Sequence, residues 1–171
     1  GLIMAILISP MIVPLIITAA GMFFFYARIN LVYTFTGVIL AHVALATPFV
    51  VITVTATLVG FDMNMVKASQ SLGARPVRTF FKVIMPLILP GVISGALFAF
   101  ITSFDEVVIV MFMASLDQLT IPKQMWAGIR QEISPVILCM ATCLVVLSIF
   151  LLTTVELLRR RSEKLRGIKS R

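Results

Sequence analysis

The sequence predicts an all-α, polytopic membrane helix bundle, and three observations carry that reading. Of the 171 residues, 60% are apolar and only 12% charged, whereas a soluble domain carries about a quarter charged residues. Four apolar runs, at residues 2–25, 35–59, 87–113 and 136–155, reach the roughly 20 residues a helix needs to cross the hydrocarbon core. The runs are continuous rather than alternating, which favours helices over barrel strands, and a helix satisfies its own backbone amides where no water can.

In the first run Pro10 and Pro14 each remove an amide donor, so a kink or a change of pitch is expected there. Pro48 does the same in the second run. Such breaks serve either as sites where neighbouring groups satisfy the freed carbonyls or as flexible points for alternating access. His42 and Thr47 stand in the second run among apolar neighbours. A histidine at that depth needs a partner, through an interhelical hydrogen bond or by lining a substrate path.

Residues 62–85 form a polar and basic island between the second and third runs. From Asp62 to Leu72 the chain suits a short helix that Gly73 stops, because glycine takes the left-handed conformation without a Cβ clash. Pro76 then suits the first turn of a second helix. On it Val77, Phe80, Phe81 and Ile84 share one face, with Arg78 and Lys82 on the other, so this helix is expected to lie along the membrane surface.

The third run contains Gly91 and Gly95, an i, i+4 pair that lets another helix approach closely. It ends in SFDEVVIVMF, where Asp105 and Glu106 are the most deeply placed acids. On a helix adjacent carboxylates point about 100 degrees apart, so they do not make a general acid/base pair. They read either as a snorkelling or helix-packing pair, or as one acid facing a path and attracting a cation.

Residues 120–134 are too polar to span. Ile121, Met125, Trp126, Ile129 and Ile133 share a stripe, with Lys123, Arg130 and Glu132 away from it, so a short helix at the outer interface is expected. Ser134 and Pro135 suit the cap and first turn of the fourth run. Cys139 and Cys143 on that run lack the further ligands a metal site requires, and no metal or cofactor is expected.

The net charge of +7 is placed by topology and not for nucleic acid. Lys67, Arg75, Arg78 and Lys82 lie between the second and third runs. The tail, 156–171, holds Arg159, Arg160, Arg161, Lys164, Arg166, Lys169 and Arg171. With four spans, both regions and Gly1 fall on one side, which the positive-inside rule makes cytoplasmic. There the tail meets anionic membrane lipid.

The ordered set Ala68, Leu72, Gly73, Ala74, then Pro86 and Pro90-Gly91 resembles the cytoplasmic EAA loop of permease subunits in binding-protein-dependent ABC importers. The resemblance implies a coupling loop that fits a groove on a cytoplasmic ATPase pair. It also implies a second permease subunit and an extracytoplasmic substrate-binding protein, in a bacterial inner membrane. Carried over residue by residue, Gly73 takes the motif glycine, Ala68 an alanine, Val83 the aliphatic position ten residues later, and Pro86 the terminal proline. Lys67 stands where the motif has glutamate and Ser69 where a second alanine is common. Lysine for glutamate reverses a charge at the implied ATPase contact, so either the partner compensates or coupling is weakened. Permeases of this kind bring about six spans, so about two N-terminal spans are expected beyond the four here.

AHVALATPFVV, SFDEVVIVMF and TIPKQMWAGIRQEISP are similar to stretches of the spermidine/putrescine branch of these permeases. The substrate class that this implies is polyamine, with Asp105, Glu106 and His42 as path candidates. No GxxxxGK[ST] run, Ser/His/Asp arrangement or HExxH is present. The chain is therefore expected not to be an enzyme, and ATP to be hydrolysed on a separate subunit. The rivals are a permease for another small solute, an ATP-independent channel or carrier, and a membrane-embedded enzyme. The last would require catalytic groups at a common depth, whereas His42 is central in its span and the acids lie toward one end of theirs.

Overall fold

The computed structural model of the chain describes residues 1–131 and 135–165. Among the described residues its regular elements are all helical, without strands: α1 (Leu2–Ile12), α2 (Leu15–Arg28), α3 (Phe35–Val59), α4 (Asn64–Ser71), α5 (Pro76–Thr79), a π-helical turn (Phe80–Ile84), α6 (Met85–Phe104), α7 (Val108–Met113), α8 (Ile121–Gln131) and α9 (Pro135–Leu165). Three helices are long and apolar enough to cross a membrane, at Phe35–Val59, Pro76–Phe104 and Pro135–Thr154; α1 and α2 together make a fourth if the pair is one span.

That first span departs from expectation. Residues 2–25 do not form one kinked helix but two, meeting at 111°. The break falls at Val13-Pro14, both of them extended, with ψ of 136° and 132°. A residue before proline is pushed out of the helical region, and Pro14 itself offers no amide. Pro10, by contrast, stays inside α1. The Ile6 carbonyl that its missing amide would have bonded accepts instead from Ser9 Oγ at 2.8 Å.

The second span forms as expected. Thr34 caps it, its Oγ1 accepting from Gly37 N at 3.0 Å, and the helix runs through a buried Pro48. Its main partner is α6. At that seam a Cβ on Gly91 would collide with Thr57 Oγ1, and one on Gly95 with Thr53 Oγ1 and Val50 Cα. The small-residue pair thus brings two backbones together, where dispersion contacts hold apolar helices. A second core lies where α2, α3 and α7 meet, around Ala19, Ala41, Leu45, Ile109 and Met113.

The third span is corrected at both ends. Pro76–Phe104 is one 29-residue helix, so the segment expected as a separate short helix is continuous with the third apolar run. The π-turn explains the continuity. In it Met85 N bonds Phe80 O, five residues back, widening the helix just before Pro86, where a ring would otherwise clash with the preceding turn. At the other end the helix stops at Phe104 instead of running to Met113. Asp105 to Val107 are non-helical, and α7 starts afresh at Val108.

Helix α8 appears where the amphipathic stripe placed it, and α9 begins at Pro135 and continues through the expected tail to Leu165. Glu132, Ile133, the Ser134 cap and residues 166–171 lie outside the described residues. The segment before α3 is stitched to α7: Tyr33, at φ 63°, donates its amide to Met113 O at 2.9 Å, and its carbonyl accepts from Gln118 Nε2 at 3.2 Å.

Candidate functional site

Two regions gather the predicted site residues, one at each end of Pro76–Phe104. At the first end α4 closes on Gly73 as its sequence requires. Gly73 takes φ +80°, its amide donates to Gln70 O at 2.9 Å, and the Ala74 amide donates to Ser69 O at 3.1 Å. These two bonds are a complete Schellman closure. It leaves Leu72 88% exposed at the tip, with Lys67 and Ala68 also exposed and Ala74 half-buried. Val83 and Pro86 sit half-buried in the long helix beyond.

Ser69 is the inward residue of this group. Its hydroxyl lies 2.8 Å from Thr79 Oγ1, and Thr79 is 97% buried, being only 3% exposed. Asp62 Oδ1 accepts the Asn64 amide at 2.9 Å and so starts the helix. Val77 and Phe81 remain exposed beside Arg75, Arg78 and Lys82. The loop therefore presents apolar and cationic groups together on a hydrogen-bonded turn.

At the other end lies a cavity of about 520 Å³ lined by His42, Phe100, Ser103, Phe104, Glu106 and Pro122 among others. Most of its wall is apolar. Phe100 and Phe104 stack at 5.3 Å, and the polar groups converge on one side. His42 Nδ1 and Ser103 Oγ are hydrogen-bonded at 2.9 Å across α3 and α6. The interhelical bond expected for this histidine is thus present, and the same histidine also lines the cavity. Thr47 bonds back to its own helix, donating to Val43 O at 2.7 Å.

Glu106 is only 7% exposed. Its Oε1 accepts the Ile109 amide at 2.8 Å, so the carboxylate caps α7, where it also faces the positive end of the short helix. Asp105 ends α6 and is exposed. It borders two other hollows, one of about 350 Å³ between α6 and α9 and one of about 370 Å³ shared with Glu106. Of the three predicted path residues the structure therefore brings His42 and Glu106 to one cavity and leaves Asp105 outside it. The two acids do not sit on a common helix, as their spacing had suggested, but at the joint between two.

Three participants escaped the sequence reading. Ser103 and Thr79 are unremarkable hydroxyls until a partner 61 or 10 residues away faces them. Lys123, expected to point away from the apolar stripe of α8, donates to Ala114 O at 3.1 Å and Ser115 O at 3.3 Å. The lone cation after a short apolar run was the available signal, since lysine suits the negative end of a helix. Among the described residues no group of three His, Cys, Asp or Glu side chains could hold a metal ion.

Comparison with known proteins bears on the family of the chain. Residues 1–164 match the family described as "Binding-protein-dependent transport system inner membrane component". The chain is 31% identical over 162 residues to the spermidine/putrescine transport system permease protein PotC of Haemophilus influenzae, covering 95% of this chain and 62% of that one. It is 29% identical over 164 residues to PotC of Escherichia coli strain K12, covering 96% and 61%. To the putrescine transport system permease protein PotI of the same strain it is 35% identical over 103 residues, covering 60% and 37%. The chain thus spans about three fifths of the length of the PotC relatives it matches.

Proposed function

This chain belongs to the family of binding-protein-dependent transport system inner membrane components, and from that premise we propose that it is the membrane-spanning permease part of an ATP-driven importer for a polyamine. ATP is hydrolysed on a separate cytoplasmic subunit pair. A second permease completes the path, and an extracytoplasmic binding protein delivers the substrate. In this arrangement the Gly73 loop and the end of α9 are cytoplasmic, while α7, α8 and the His42 cavity lie toward the outer face.

One observation carries the reading beyond family membership: the cavity at the far end of Pro76–Phe104 is apolar with a buried carboxylate at one side. An alkyl chain suits the Phe100 and Phe104 walls. A protonated amine suits Glu106, whose carboxylate lines the cavity. In a low-dielectric site such a charge pair is much stronger than in water. Asp105, exposed beside it, is the natural first attractor. The names of the spermidine/putrescine and putrescine relatives support the same substrate class.

The coupling role is assigned to Lys67, Ala68, Ser69, Leu72, Gly73, Ala74, Val83 and Pro86. It is supported by the Schellman closure, the exposed Leu72 tip and a helix that runs uninterrupted to the cavity. Native mass spectrometry of the tagged protein extracted from its own membrane tests the assembly. The expected spectrum contains an ATP-binding subunit and a second permease. Radiolabelled putrescine uptake then tests the energy source, and uptake that persists after deletion of the ATPase sinks the importer reading in favour of a carrier.

A further inference from the structure

We propose that Ser69 and Thr79 form a latch that makes the loop helix and the long helix one moving body, so that both are positioning residues for energy coupling. The inference rests on the proposed function above and adds to it the joint through which force passes.

Helix α4 packs against α5 and the π-turn that follows it. The covalent link between α4 and α5 is the short Leu72 to Arg75 connection, and Gly73 within it has the widest torsional freedom of any residue. Backbone bonds close the turn at Gly73 and Ala74, but they fix only the exit from α4. The side-chain bond that bridges the two helices is Ser69 to Thr79, at 2.8 Å. Thr79 is buried although Arg78 and Phe80 beside it are exposed, so its hydroxyl points into the α4 contact and not to solvent.

The same helix that starts at Pro76 ends at Phe104, next to Ser103 and its bond to His42. At 1.5 Å per residue its 29 residues span about 43 Å. A displacement of α4 reaches the cavity only if α4 cannot pivot about the Leu72 to Arg75 connection, and the latch adds to the backbone bonds of the turn the side-chain tie that removes that pivot. Alanine at position 69 would leave the buried Thr79 hydroxyl without its partner in α4 and restore the pivot.

The test uses the full complex reconstituted in liposomes, with putrescine as probe, and measures ATP hydrolysed per molecule imported. Ser69→Ala and Thr79→Val are each expected to raise this ratio about threefold or more, the scale of one interhelical hydrogen bond. The maximal uptake rate falls while the half-saturating concentration stays unchanged. Thr79→Ser restores the wild-type ratio, and the Ser69→Ala/Thr79→Val double variant is no worse than either single one. If Thr79→Val does not insert, Ser69→Ala against Thr79→Ser decides. A wild-type ratio in Ser69→Ala, or effects that simply add, overturns the latch while leaving the importer reading intact. Wild-type uptake indifferent to ATP instead overturns the importer reading and the latch together.

Discussion

His42 on α3 and Ser103 on α6 are joined by a 2.9 Å hydrogen bond that spans 61 residues of sequence, and both residues line the cavity that Glu106 also lines. It ties the two most extensively packed helices at the end where their glycine seam has already ended. The pair therefore fixes the spacing of α3 and α6 where they wall the cavity.

Removing that bond is the first prediction. Ser103→Ala is expected to cost about 1 kcal/mol, typical of an interhelical hydrogen bond in a membrane. The readout is a fall of a few degrees in the thermal unfolding midpoint in nanodiscs. A midpoint equal to wild type would mean that His42 finds an equivalent partner.

The acids at the α6–α7 joint separate by role. Glu106→Gln keeps an oxygen for the Ile109 amide, so the protein should fold, but it removes the charge facing the cavity; the half-saturating putrescine concentration is expected to rise about tenfold, equivalent to about 1.4 kcal/mol. Asp105→Asn, at an exposed position, is expected to give a smaller rise. Kinetics identical to wild type in both variants would leave the carboxylates with a structural role only.

Gly73→Val tests the loop. A β-branched residue at φ +80° is strained by about 1–3 kcal/mol, even though no heavy atom stands within 4 Å of the added Cβ. Insertion and expression should be normal and uptake largely lost. Full uptake with normal insertion would remove the coupling assignment from this turn.

The glycine seam gives the fourth prediction. Gly95→Leu forces apart α3 and α6, because even a Cβ meets Thr53 Oγ1 and the Val50 backbone. The overpacking cost is about 1–3 kcal/mol or more, and limited proteolysis should show a looser bundle. Gly21→Leu, where nothing lies within 4 Å, is the matched control and should behave as wild type.

Much of this architecture was legible because hydrophobic length and glycine conformation are local properties. The extent of α3, the Gly73 stop, the Gly91 and Gly95 seam and the placement of α8 follow from residues within one or two turns of each other. What stayed hidden depends on geometry between elements or on competing local rules. Two prolines in the first run signalled disturbance, yet only the extended Val13-Pro14 pair breaks the chain. Pro86 looked like the end of a surface helix because periodicity does not reveal a π-turn that accommodates it. Of the path candidates, His42 was visible as a buried polar group, but the partner that orients it lies in another span. Glu106 was visible as a deep acid, but its capping role requires knowing that the helix stops two residues earlier, at Phe104.

That stop leaves α7 with an arrangement unusual for six residues. A carboxylate sits at its amino end, through Glu106 and the Ile109 amide, and an ammonium at its carboxyl end, through Lys123 and the Ala114 and Ser115 carbonyls. A helix this short does not hold by itself. Here charge at both poles and complete burial of Ile109, Val110 and Met113 do the holding. In an amide hydrogen-exchange experiment the segment should behave as a slow island, its protons retained through subglobal openings that release those of the flanking loops. This end of the bundle thus contains a fixed anvil against which the longer helices can shift.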